Sequence, residues 1–69
     1  MQGHSYKYFE LVGTSKTSVE DAVQNVLAKA ADSLPNMRWF QLVETRGAIK
    51  GNKVDEWQVT VKVGCRIEE

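Results

Sequence analysis

Apolar and polar residues alternate through residues 56–67, and this alternation limits the folds open to the chain more than any other feature. Apolar side chains occupy the odd positions: Trp57, Val59, Val61, Val63, Cys65 and Ile67. Polar side chains or glycine occupy the even positions: Glu56, Gln58, Thr60, Lys62, Gly64 and Arg66. Because successive side chains of a strand point to opposite faces, the pattern predicts a strand over residues 54–67 with one apolar and one polar face. We therefore expect Trp57 in the core and Cys65 as a buried, unreactive thiol.

A helix is predicted over residues 18–34 from a second kind of periodicity. Apolar residues recur there at steps of three and four: Val19, Ala22, Val23, Val26, Leu27, Ala30, Ala31 and Leu34. This spacing places them on one face of an amphipathic helix. Thr17 and Glu20 match a capping box at the start of the helix. Pro35 should end it, because proline lacks an amide hydrogen and restricts the residue before it.

Two further strands complete the predicted fold. Residues 5–12 are rich in aromatic and β-branched types and stop at Gly13, and residues 39–49 precede a Gly51-Asn52 pair that suits a tight hairpin. A helix that packs back across the sheet makes the first and second strands parallel. Insertion of the third strand between them gives an α+β fold, β-α-β-β, with an antiparallel sheet in the order 1-3-2. We expect residues 1–69 to form one domain.

The predicted strands are long for so small a chain. With 69 residues, one cysteine and one histidine, the chain can form neither an internal disulfide nor a zinc site of the Cys/His type. The third strand would span about 45 Å at ~3.3 Å per residue, whereas a compact chain of this length is roughly 30 Å across. The hairpin must bend, with Gly47 and Gly64 as candidate bend or bulge points, or project past its own core. Either arrangement, together with an uncovered polar face, favours a homo-oligomer.

Charge and motif content disfavour several classes of function. Nine basic and nine acidic residues give a net charge of zero, and nucleic-acid or membrane-surface binders need a clustered basic surplus. No apolar run approaches the ~18 residues of a membrane-spanning helix, and no leader segment is recognisable, so we expect a cytoplasmic protein. There is no Ser/His/Asp set, paired-carboxylate motif, phosphate-binding glycine loop or metal-ligand spacing. These absences favour a binding protein over an enzyme.

Trp39 and Gln58 are the candidate binding residues that the pattern itself offers. Phe40 lies two residues before the apolar Leu42, so both side chains should face the helix. Trp39, the residue before Phe40, should then point away from the helix. A Trp and an amide can stack on a flat heterocycle and hydrogen-bond to its edge, and several copies of the chain would have to enclose such a ligand. The simpler alternatives are an interface anchor for Trp39 and a solvated Gln58. Arg46 and Arg66 are most simply surface or ion-pair residues.

Several segments taken together resemble the dodecin family, in order and without large gaps. They are ELVGTS (10–15), VEDAVQN (19–25), RWF (38–40), ETRG (44–47), QVTVKVG (58–64) and RIE (66–68). The resemblance implies a β-α-β-β fold and twelve identical chains in a hollow shell of tetrahedral symmetry. It also implies pairs of flavins, FMN or riboflavin, at subunit interfaces near the two-fold axes.

The resemblance assigns roles to four residues of the second and third strands. Trp39 matches the family's stacking Trp, and Gln58 matches the Gln that hydrogen-bonds to the polar edge of the isoalloxazine. Glu44 and Arg46 lie in the segment that lines the ribityl chain and the pocket rim. All four are therefore expected to be cofactor-binding residues.

Two cations are candidates for a phosphate contact, and three positions depart from the family pattern. Arg66 matches a basic position of bacterial members and could meet a phosphate, which would favour FMN; Lys7 is a second candidate. Cys65 stands where an aromatic residue is common, Trp57 replaces a Tyr or Phe before the Gln, and Pro35 falls in the loop after the helix. None of the three removes a flavin contact.

The function that the resemblance implies is flavin storage, sequestration and photoprotective quenching. A Trp stacked on flavin would transfer an electron to the excited ring, so the bound flavin would be dark and would undergo no turnover. The alternative is an oligomeric scaffold that binds another coenzyme, such as coenzyme A, with flavin incidental. A flavoenzyme is disfavoured because the sequence offers no acid, base or substrate pocket. The sequence leaves the choice between FMN and riboflavin open.

Overall fold

A computed structural model describes residues 3–68 and shows the predicted order of elements. The elements are β1 (Tyr6–Ser15), α1 (Val19–Ala30), β2 (Met37–Lys50) and β3 (Lys53–Arg66). Strand β3 lies between β1 and β2 and is antiparallel to both of them. The α+β fold and the strand order 1-3-2 predicted from the sequence are thus confirmed.

The core lies between α1 and one face of the sheet, and β3 supplies most of it. The buried apolar side chains are Ala22, Val23, Val59, Val61, Val63 and Cys65. The alternation in β3 and the burial of Cys65 are as predicted. The core role expected for Trp57 is wrong, because Trp57 is only half-buried and lies outside this cluster. Trp57 pairs with Ser15, the last residue of β1, at the level where the helix begins.

Both ends of α1 differ from the predicted ones. The N-cap is Ser18 and not Thr17; its Oγ accepts a hydrogen bond from the Asp21 N–H at 3.0 Å. The buried Ser15 Oγ donates to Asp21 Oδ2 at 2.6 Å and accepts from the Thr17 N–H at 2.9 Å. Ser18 therefore caps the Asp21 N–H of the first turn, and Ser15 ties the segment before the helix to the Asp21 side chain.

The helix ends at Ala30, well before Pro35. The Leu34 N–H bonds to the Ala30 carbonyl at 2.8 Å within a following turn, and Leu34 still packs against the core. Asn36 has a φ of 61° and its carbonyl accepts from the Arg66 N–H at 2.9 Å. The apolar stripe therefore predicted the packing of residue 34 but not the end of the helix.

Strand β1 continues past Gly13, where the sequence predicted that it would stop. A Cβ on Gly13 would lie 2.7 Å from Val26 Cβ and 2.5 Å from the Ala22 carbonyl oxygen. Gly13 therefore marks a place where the helix lies directly against the sheet, a common use of glycine inside a strand.

The β2–β3 hairpin projects from the core. Gly51 and Asn52 have φ values of 58° and 65°, so the predicted tight turn is confirmed. The molecule measures 57 × 20 × 14 Å and has a radius of gyration of 14.4 Å, compared with about 11 Å for a compact chain of this length. Most of β2 is exposed, including Ile49 at 78%. The strand lengths had predicted either a bent hairpin or a projecting one, and the structure shows the projecting hairpin.

Strand β2 departs from regular pairing at three places, and the candidate bulge points Gly47 and Gly64 are not among them. The register shifts lie between Met37 and Trp39, between Leu42 and Glu44, and between Ala48 and Ile49. Bulges insert an extra residue and bend the strand locally. The shift around Val43 has the largest consequence, because it determines which face of the sheet Glu44 and Arg46 occupy.

A candidate binding face opposite the helix

Most of the residues singled out from the sequence lie on the sheet face opposite α1, which we call the outer face. No element within residues 3–68 covers this face. Strand β3 contributes to this face the side chains of Glu56, Gln58, Thr60, Lys62 and Arg66. Gly64 lies on the same face and leaves a gap between Lys62 and Arg66. The uncovered face predicted from the alternation is therefore present.

Trp39 lies on the outer face, as predicted, and its indole rests on the backbone of Gly64. The two residues pair across β2 and β3. A Cβ on Gly64 would overlap indole atoms Cε2 and Cζ2 and would lie 2.8 Å from Cδ2. Trp39 remains 41% exposed. The missing side chain at Gly64 thus lets the indole lie against the sheet while part of it stays open to a ligand.

Two tyrosines of β1 flank this indole and form with it an aromatic cluster of Tyr6, Tyr8 and Trp39. The ring centroid of Tyr6 is 4.7 Å from that of Trp39 at an interplanar angle of 58°. Tyr8 stands edge-on at 6.0 Å, and the Trp39 Nε1–H donates to Tyr8 Oη at 3.4 Å. Lys62 Nζ lies 5.8 Å from the Tyr8 ring centroid. These neighbours were not predicted from the sequence. Tyr6 and Tyr8 are two residues apart in β1, so the alternation of side chains along a strand could have placed them together on one face.

The bulge at Val43 brings Glu44 and Arg46 to the outer face. Leu42 and Glu44 pair with successive residues of β3, so Val43 is an extra residue. Because side chains alternate along a strand, one extra residue reverses the faces of all that follow. Without the bulge, Glu44 and Arg46 would point to the helix side, opposite Trp39.

Arg46 is the centre of a polar cluster that consists of Glu44, Arg46, Glu56, Gln58 and Thr60. Its Nε–H donates to Gln58 Oε1 at 2.9 Å, and its Nη1 donates to Thr60 Oγ1 at 3.1 Å. The Gln58 Nε2 donates to Glu56 Oε1 at 3.3 Å. Glu44 Oε1 lies 3.7 Å from Arg46 Nη1. The structure therefore joins three of the predicted site residues in one network and adds Glu56 and Thr60 to them.

The aromatic cluster and the polar cluster occupy different parts of the outer face. Trp39 pairs with Gly64, and Gln58 lies six residues back along β3, which is about 20 Å at ~3.3 Å per residue. The indole also contacts Tyr6, whose pairing partner is Arg66, on the side away from Gln58. One chain therefore cannot place Trp39 and Gln58 against the same ring system.

The two cations proposed for a phosphate, Lys7 and Arg66, both line a groove at the end of the sheet where β1 begins and β3 ends. Arg66 pairs with Tyr6 and occupies an even position of β3, as the outer-face residues do. The Nζ of Lys7 lies 5.6 Å from the ring centroid of Phe9, on the helix side. Arg66 is thus the cross-strand partner of a member of the aromatic cluster, whereas Lys7 pairs with Cys65.

Two kinds of feature are absent from residues 3–68. No group of three or more His, Cys, Asp or Glu side chains is arranged to hold a metal ion in that range. No helix in the same range has the length and apolar character needed to cross a membrane.

The fold and the outer face together define a small binding protein of the β-α-β-β type. The dodecin family model matches residues 5–68, so the chain belongs to the dodecin family. The resemblance seen in the sequence is confirmed.

Solved structures and a curated relative agree with this assignment. A dodecin of Thermus thermophilus is 46% identical over 67 residues, 97% of each chain. A crystal structure from the same organism has a TM-score of 0.92 at 46% identity and covers 97% of this chain and 98% of its own. The dodecin of Streptomyces davaonensis has a TM-score of 0.93 at 40% identity and covers 99% of this chain and 100% of its own. A calcium dodecin of Mycobacterium tuberculosis, a calcium-chelating antigen with a novel calcium-binding site, is 25% identical with a TM-score of 0.80 and covers 93% and 91%.

Proposed function

We propose that this chain binds flavin, FMN or riboflavin, on the outer face of its sheet and holds it in a quenched state. The observation that carries the proposal is the exposed indole of Trp39 seated on the backbone of Gly64. An aromatic ring fixed against a sheet offers a flat, rigid surface on which an isoalloxazine can stack at little entropic cost. Family membership supports the same ligand.

The binding unit is a homo-oligomer, which we propose to be the dodecamer that the family implies. A flavin that uses both Trp39 and Gln58 needs two chains, since one chain holds these side chains about 20 Å apart along β3. The projecting hairpin and the uncovered outer face also provide surface for neighbouring copies. Oligomerisation is a usual source of stability for chains of this size without disulfides.

Within such a site, the remaining candidate residues act on the polar parts of the flavin. Gln58 hydrogen-bonds to the pyrimidine edge of the isoalloxazine, with Glu44 and Arg46 beside it. Arg66 meets the phosphate of FMN through a charge-assisted hydrogen bond. The indole of Trp39 donates an electron to the excited flavin, so absorbed light is dissipated and no substrate is turned over. The protein thus stores and shields flavin and is not an enzyme.

The test is a titration of FMN with purified protein, followed by flavin fluorescence and static light scattering. We expect fluorescence to fall to a plateau and the scattering mass to equal many copies of the chain. Fluorescence that stays unchanged at excess protein would reject flavin binding. A monomeric or dimeric mass would reject the assembly, whatever the fluorescence does.

A mixing experiment tests whether two chains supply each site. Trp39→Ala and Gln58→Leu proteins are unfolded together, refolded as a mixture and titrated with FMN. In the mixed oligomers, a fraction of the sites receives an intact Trp39 from a Gln58→Leu chain and an intact Gln58 from a Trp39→Ala chain. These sites should bind FMN as the wild-type protein does. Refolding each variant alone is the control. A mixture that binds no better than the two separate variants contradicts a shared site.

Replacement of Arg66 with alanine should separate the two flavins. We expect weaker binding of FMN, by about 1–3 kcal/mol, because a phosphate loses its charge-assisted partner. Riboflavin has no phosphate and should bind as before. Titration of both flavins against wild type and Arg66→Ala measures the difference. Equal losses for the two would mean that Arg66 supports an interface and does not contact the phosphate.

A further inference from the structure

We infer that Arg46 acts on the flavin through Gln58, as a positioning residue that fixes the orientation of the Gln58 amide. This inference rests on the proposed function. It differs from a rim contact, in which Arg46 would touch the ribityl chain or the phosphate directly. Its basis is the chain of hydrogen bonds from Arg46 through Gln58 to Glu56.

The two neighbours of the Gln58 amide determine which of its ends is oxygen. A guanidinium can only donate, and an ionised carboxylate can only accept. Arg46 Nε is 2.9 Å from Gln58 Oε1, and Glu56 Oε1 is 3.3 Å from Gln58 Nε2. A flipped amide would set donor against donor at Arg46 and acceptor against acceptor at Glu56. The chemistry of the neighbours therefore selects a single orientation.

Arg46 is itself held in place by groups of the same face. Its Nη1 donates to Thr60 Oγ1 at 3.1 Å, and Glu44 Oε1 lies 3.7 Å from the same nitrogen. Two of its three guanidinium nitrogens thus have partners within the polar cluster. An arginine occupied in this way is suited to orient a neighbour and has fewer donors left for a ligand.

The fixed amide leaves a defined pair of groups for the ligand. Gln58 keeps one free N–H on Nε2 and one free lone pair on Oε1. The pyrimidine edge of an isoalloxazine has an N3–H between two carbonyl groups. Gln58 Oε1 can accept from N3–H while Nε2 donates to one of the carbonyls. Because the amide is already oriented, flavin binding need not order it, and preorganisation of this kind raises affinity.

The experiment is a double-mutant cycle with riboflavin, which lacks a phosphate. Arg46→Met keeps the apolar stem but removes the donors, and Gln58→Leu keeps the approximate shape but removes the amide. We expect Arg46→Met to weaken riboflavin binding about tenfold when Gln58 is present and to have no effect in the Gln58→Leu background. Glu56→Gln, which removes the acceptor-only partner, should also weaken binding only when Gln58 is present. Light scattering shows that each variant retains the wild-type mass.

A second ligand keeps the test decisive if Gln58→Leu binds too weakly to titrate. 3-Methylriboflavin has no N3–H for Gln58 Oε1, so Arg46→Met should affect its binding much less than that of riboflavin. An equal loss for the two ligands, or a loss that persists in the Gln58→Leu background, overturns the positioning role. Wild-type protein that binds neither ligand overturns the proposed function instead, so the two failures can be distinguished.

Discussion

Replacement of Trp39 with alanine should abolish most of the flavin quenching while the fold and the assembly persist. The indole lies on the outer face, away from the core, so its loss opens no cavity between α1 and the sheet. Removal of a central aromatic contact typically costs about 2 kcal/mol or more in binding, which is at least about thirtyfold in Kd. FMN fluorescence titration measures both affinity and quenching, and circular dichroism verifies the fold.

Phe40 provides a matched control for this variant. It is the next residue of the same strand, is similarly exposed (46% against 41% for Trp39) and faces the helix side. Phe40→Ala should therefore leave flavin quenching intact. Trp39→Phe is a second control, because it keeps an aromatic surface but is a poorer electron donor; it should retain part of the affinity with weaker quenching. Equal losses in Trp39→Ala and Phe40→Ala would contradict a site on the outer face.

Replacement of Gly64 with alanine should reproduce much of this loss although it adds only one methyl group. The new Cβ would occupy the space of the Trp39 ring, lying 2.8 Å from Cδ2 and closer still to two other ring atoms. The backbone beneath it is a central strand that cannot move aside, so the indole must tilt or lift away. We expect FMN binding to weaken about tenfold, the loss of one stacking contact and its buried area. Fluorescence titration and near-ultraviolet circular dichroism of the indole report the change.

The control for Gly64→Ala is the same substitution made in the Trp39→Ala protein. Without the indole, a methyl group at residue 64 meets no ring, and the second substitution should change affinity little. Gly47→Ala tests whether any added methyl on these strands is harmful, since a Cβ there would meet the Glu56 carbonyl oxygen at 3.1 Å. If Gly64→Ala binds FMN as wild type does, the seat of the indole on the backbone is not needed for function.

The fold could be predicted because several independent signals agreed. The alternation in β3, the helical stripe and the Gly51-Asn52 turn all specify the same topology, and each is a local property of the sequence. The end of α1 could not be predicted from Pro35, because the turn after Ala30 keeps Leu34 on the core without helical geometry. The error at Trp57 has a similar origin. The alternation assigns each residue to a face of the strand, but it does not show how far along the strand the helix extends to cover that face.

The candidate site was only partly predictable from the sequence. Trp39 was assigned to the correct face because no irregularity separates it from Phe40. The faces of Glu44 and Arg46 could not be derived by counting, since nothing in the residues around Val43 announces a bulge. The contact between Trp39 and Gly64 joins two strands, and only the register of the sheet brings these two residues together.

The elongated shape also has a consequence for protein engineering. The Ile67 N–H bonds to the Ser5 carbonyl at 2.8 Å, so the beginning and end of the described chain leave the sheet side by side. The Gly51-Asn52 turn lies at the other end of a molecule 57 Å long. A fluorescent protein or affinity tag fused before Ser5 or after Ile67 would therefore start from the same pole, away from the hairpin that we propose packs against neighbouring copies. The chain is thus a two-ended rod in which additions are expected to be tolerated at one pole and to disturb assembly at the other.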